Sequence, residues 1–94
     1  MIQYNERVEI YEEAIRHFGQ SMQCLVAIEE MSELTKALCK NERWMGDLEN
    51  IAEELADVTI MLEQLRLIFN CNEMVIEFMD RKLERLQERI GERS

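Results

Sequence analysis

Ninety-four residues without a single proline, and with glycine only at 19, 46 and 91, leave little room for anything but helix. Those two residue types are the ones most costly in a helix interior. Apolar residues recur at three- and four-residue intervals. Val8, Ile10, Tyr11, Ala14, Ile15 and Phe18 make the first such run, which is a helical spacing and not a strand alternation. The pattern predicts four helices. The first runs from Glu6 to Phe18, capped by Asn5 and stopped at Gly19. The second spans Ser21 to Lys40. Asn41 to Asp47 form the one clear loop, which carries Trp44 and Gly46. The third spans Leu48 to Phe69, with Asp47 as its cap. Asn70, Cys71 and Asn72 make a short turn. The fourth helix, capped by Asn72, reaches Ile90, and Gly91 ends it, leaving 92–94 frayed. The expected fold class is all-α in a single domain. A chain this small, with apolar faces this wide, is expected to complete its core by oligomerising.

Two acidic pairs break the apolar pattern, each at i, i+3: Glu30 with Glu33, and Glu54 with Asp57. Residues three apart share one side of a helix. In the second helix the apolar arc holds Cys24, Ala27, Ile28, Met31, Leu34 and Leu38. Glu30 and Glu33 border it, whereas Glu29, Lys36 and Lys40 share the polar face. In the third helix Glu54 falls between the directions of Met61 and Leu65, inside the arc, and Asp57 between Gln64 and Ile68. Burying an ionised carboxylate is costly unless it is paired or holds a metal. Ion pairs with neighbouring helices would satisfy one such pair. Two pairs at matched spacing on consecutive helices favour a shared hard cation with oxygen ligands, Mg²⁺ before others and Mn²⁺ as its substitute.

Charge and cysteine narrow the partners. A formal net charge of −9 argues against a sequence-independent grip on a nucleic acid polymer. It leaves room for a phosphorylated small molecule, because a bound metal reverses the local field. Cys24, Cys39 and Cys71 are odd in number, widely spaced and set in apolar-patterned segments, which reads as buried free thiols in a reducing cytoplasm. The only histidine, His17, has no cysteine at zinc-ligand spacing. Acidic residues from Glu6 onward interrupt any signal-peptide pattern, and no apolar run approaches a transmembrane length.

The pattern Glu30-x-x-Glu33 followed, after twenty residues, by Glu54-x-x-Asp57 resembles the MazG-like all-α nucleoside triphosphate pyrophosphohydrolases. The flanking text is similar too: "EEMSEL" at Glu29 to Leu34 and "EELADV" at Glu53 to Val58 look like that family's two signature helices. The similarity covers Gln20 to Arg89. The resemblance implies a four-helix bundle that assembles across subunits as a homodimer or homotetramer. It implies Mg²⁺-dependent cleavage between the α and β phosphates of a nucleoside triphosphate, giving a monophosphate and pyrophosphate. It makes Glu30, Glu33, Glu54 and Asp57 the metal ligands. "DRKLERL" at Asp80 to Leu86 resembles the family's basic last-helix segment, which makes Lys82 and Arg85 phosphate contacts. Asp80 departs from the family's usual Asn and is not carried over.

Read from the residues alone, Lys82, Arg85 and Arg89 are either a phosphate-binding edge or a solvated stripe paired with Glu77, Glu84 or Glu88. Trp44 is either a base-stacking residue or a partly buried loop anchor or interface residue. Glu33 is the candidate general base that orients a water. No Ser-His-Asp or Cys-His arrangement and no Gly-rich phosphate loop is evident. Two other readings compete. A phosphoribosyl-ATP pyrophosphohydrolase would carry a Tyr-His after the Ala-Asp pair, and Ala56-Asp57 is followed by Val58-Thr59. A catalytically silent helical interaction module would be expected to lose members of the acidic quartet.

Overall fold

The computed structural model describes residues 1–93, and Ser94 lies outside them. Among the described residues there are four α-helices and no strand, so the all-α expectation holds. α1 spans Tyr4–Phe18, α2 Gln20–Glu42, α3 Leu48–Ile68 and α4 Asn72–Arg93.

The junctions show why the helices stop where they do. Gly19, at φ 92°, both ends α1 and starts α2: its N–H donates to the Ile15 carbonyl at 2.9 Å, and its own carbonyl accepts from Gln23 at 3.1 Å. At the end of α2 the Met45 N–H reaches the Lys40 carbonyl (2.9 Å) and the Trp44 N–H reaches Asn41 (3.0 Å). This is the paired closure of a Schellman turn, with Trp44 at its left-handed position, φ 63°. The same closure ends α3, where Cys71 donates to Arg66 and Asn70 to Leu67, with Asn70 at φ 49°. Asp47 caps α3 as expected, its Oδ1 accepting from Glu49 N (3.0 Å) and Asn50 N (3.4 Å).

Three expected boundaries are corrected. Asn5 lies inside α1, and Gln3 holds the cap position without a side-chain bond. Asn72 is the first residue of α4, with the Cys71 carbonyl accepting the first helical bond from Val75; its side chain accepts from Arg66 Nη1 at 3.2 Å instead. Gly91 does not end α4. It lacks a positive φ, and a lone glycine costs a helix interior only about 1 kcal/mol.

The core is the hairpin of α2 and α3. Ala27 and Ala37 are buried on α2, and Val58 and Met61 on α3, so small residues let the two backbones approach. α1 lies against both helices through buried Tyr11. The Tyr11 hydroxyl (3.1 Å) and Arg7 Nε (3.4 Å) both donate to Glu63 Oε2. α4 is different. It approaches only α3, over a short stretch, and none of its described side chains is buried. The radius of gyration is 16.3 Å, against roughly 13 Å for a compact domain of about 100 residues. The apolar side chains of α4, including Met79, Leu83, Leu86 and Ile90, are exposed. Of the cysteines, all free, Cys24 and Cys71 are half-buried and Cys39 is exposed, which corrects the expectation that all three are buried.

Candidate metal centre

The acidic pairs meet in the middle of the α2–α3 hairpin. Antiparallel packing sets Glu30, midway along α2, opposite the second and third turns of α3. One carboxylate oxygen each from Glu30, Glu54 and Asp57 lies within 4.8 Å of the others. All three residues are half-buried. Glu33 is exposed and stands outside this triad, although its charge acts on both Glu30 and Glu54.

The triad is electrostatically uncomfortable without a cation. Partial burial holds the Glu30 carboxyl above its ordinary pKa, reinforced by the charges of Asp57 and Glu54, by a hydrogen bond with Asp57 and by Glu33. Glu54 is raised for the same first reason, then by Asp57, Glu33 and Glu53. Glu54 Oε2 is sealed from solvent and has no hydrogen-bond partner, the only such side-chain atom among the described residues. A buried acceptor without a donor is rare and costly. Three converging carboxylates, one of whose residues also carries an orphaned oxygen, are the kind of donor set that suits a hard divalent cation.

The other residues singled out from the sequence lie elsewhere. Lys82 and Arg85 are exposed on α4, and neither is paired with Glu77, Glu84 or Glu88; among the described residues the one ion pair is Arg7–Glu63. The two cations are thus solvated, and α4 of the same chain does not approach α2. Trp44 is 96% exposed at the hairpin tip, so it is not a buried anchor within its own chain.

Two features escaped the sequence reading. Gln23 and Gln64 form a buried amide pair between α2 and α3, Gln23 Nε2 donating to Gln64 Oε1 at 2.8 Å. Their signal was spacing: Gln23 stands seven residues before Glu30, and Gln64 seven after Asp57. The second is a cleft of about 380 Å³ between α1 and α3, lined by Tyr4, Arg7, Tyr11, Glu63 and Arg66 among others and by no member of the triad.

Comparison with protein-family models, with curated proteins and with solved structures gives no match to this chain. Among the described residues no helix is long and apolar enough to cross a membrane.

Proposed function

We propose that this chain is a Mg²⁺-dependent nucleoside triphosphate pyrophosphohydrolase, taking a ribo- or deoxyribonucleoside triphosphate and water to the monophosphate and pyrophosphate. The observation that carries this reading is the Glu30–Glu54–Asp57 convergence with the orphaned Glu54 oxygen, beside the motif resemblance of the two helices that supply it. Glu30, Glu54 and Asp57 would hold the ion. When bound, it would neutralise phosphate oxygens and acidify a coordinated water. Glu33, exposed at the edge of the triad, is free to turn toward the site and accept a proton from the attacking water as general base.

The remaining parts of the site imply a second subunit. Lys82 and Arg85 carry unpaired charge on a helix that meets the rest of the chain only along a short stretch of α3. A homodimer or homotetramer that buries the α4 apolar edge of Leu83, Leu86 and Ile90 would bring those cations toward a neighbouring triad. There they would offset the charge of a triphosphate. Trp44, open at the hairpin tip, would stack on a base or on that neighbour.

The test is pyrophosphate release from a panel of ribo- and deoxyribonucleoside triphosphates, with phosphoribosyl-ATP included, in Mg²⁺ and in EDTA. Mg²⁺-dependent release with a monophosphate as the other product is expected. Release from phosphoribosyl-ATP alone would move the chain to that reaction. Silence from every substrate, with no rise in melting temperature on adding Mg²⁺, would leave the non-catalytic module.

A further inference from the structure

We infer that Gln23 and Gln64 are positioning residues: their buried amide pair sets the rotation and register of α2 against α3, and so holds Glu30 opposite Glu54 and Asp57. This inference rests on the metal-site reading above. Gln23 is 6% and Gln64 4% exposed, in a seam otherwise lined by Ala27, Val58 and Met61. The Gln64 amide also leans on Met61 Sδ at 3.5 Å. Small and flexible apolar side chains interdigitate in several nearly equivalent ways. A carboxamide pair does not, because any slip or rotation leaves both amides facing hydrocarbon without a partner. A single buried polar residue fixes alignment in paired helices by the same means.

The site needs such a device. Without a cation the three carboxylates repel, and that repulsion acts to rotate α2 and α3 apart. At the tip of the hairpin the Schellman closure, the Asp47 cap and the close approach of Gly46 to Asn41 hold the helices together. The opposite end has no connecting loop. There the Gln23–Gln64 pair lies one heptad from the triad on both helices at once, so the alignment that mates the amides is also the one that faces Glu30 to Asp57. Ala27, 1% exposed, lies between the two layers and keeps the helices close enough for both.

The deciding variant is Gln23→Met/Gln64→Met, which keeps side-chain volume and removes both amides. Two readouts are taken in the full-length chain. One is Mn²⁺ affinity by electron paramagnetic resonance. The other, independent of metal, is the distance between spin labels at Ser32 on α2 and Ala52 on α3, in a cysteine-free background diluted with unlabelled protein. The expected result is a melting temperature equal to or above wild type, a broadened metal-free distance distribution, and Mn²⁺ affinity lowered by at least about tenfold. Gln23→Met alone, which strands the Gln64 amide, should be less stable than the double variant. A sharp wild-type distance with wild-type Mn²⁺ affinity in the double variant overturns the inference. So does a fall in melting temperature of more than about 10 °C, because the pair would then serve stability and not alignment. Should wild type itself fail to bind Mn²⁺, the metal reading falls, and the distance distribution still decides whether the pair aligns the helices.

Discussion

At the scale of single residues, the chain contains two local costs that it does not relieve by itself. The first is the triad. Glu30 and Glu54 are both held above the ordinary Glu value of about 4.3. A carboxyl raised in the folded state contributes stability when protonated. That contribution is complete below the ordinary value and disappears as pH climbs through the raised one. Melting curves in EDTA should therefore show wild type losing more stability than Glu30→Gln/Glu54→Gln as pH rises above the ordinary Glu range, and Mg²⁺ should restore it. An equal slope for the two proteins would remove the case for a strained triad. Glu54→Gln alone should melt higher than metal-free wild type. It should also lose at least about 100-fold in pyrophosphate release, since even residues that only support metal ligands cost 10- to 100-fold. Normal hydrolysis by that variant would refute the metal assignment. The second cost is Trp44, a bulky residue at φ 63° with 96% of its surface exposed. The left-handed region costs a non-glycine residue about 1–2 kcal/mol, and glycine returns part of that gain through its freer unfolded state. Trp44→Gly should stabilise the isolated chain by roughly 0.5–1 kcal/mol in denaturant titrations. Destabilisation instead would show that Trp44 is covered in the native assembly.

At the scale of elements, the hairpin tip and the hairpin seam do separate jobs. The tip depends on Gly46. A Cβ there would lie 2.7 Å from the Asn41 Cα and against the Asn41 side chain. Because the obstruction includes backbone, it cannot be relieved by a rotamer change alone. Gly46→Ala should cost about 1–3 kcal/mol, and Asp47→Ala about 1 kcal/mol through its lost cap. Both should show as lowered denaturant midpoints with unchanged slopes. The seam, by contrast, carries the site. Helix propensity and periodicity made α2 and α3 legible within two residues at each end. The Asp47 cap was legible because Asp before an apolar run is a direct chemical signal. The caps at Asn5 and Asn72 failed because each helix begins before the expected residue: Gln3 holds the cap position of α1, and Asn72 is already inside α4 with its side chain accepting from Arg66.

At the scale of the whole molecule, the open shape is the dominant fact. α4 presents Leu83, Leu86 and Ile90 at 54%, 42% and 60% exposure, and a continuous apolar stripe on an uncovered helix is the mark of an interface. Sedimentation should find a dimer or larger species. On the shared-site proposal, Leu83→Asp/Leu86→Asp should yield a monomer that keeps the α2–α3 hairpin but loses turnover, because Lys82 and Arg85 would have no neighbouring triad to reach. A compact, active wild-type monomer would overturn the shared-site proposal.

The amino-acid sequence by itself determined that the chain is helical, roughly where the helices run, and that two of them each carry an acidic pair at i, i+3. Those properties follow from local backbone preference and from a 3.6-residue period, both readable along one dimension. Which of the four converge was decided only in three dimensions. The crossing of α2 and α3 brings Glu30, Glu54 and Asp57 within 4.8 Å and leaves Glu33 exposed, a difference set by helix rotation and not by spacing. The placement of α4 was likewise invisible to periodicity. An amphipathic helix announces that it has an apolar face, but what covers that face depends on how neighbouring elements, or neighbouring subunits, pack against it.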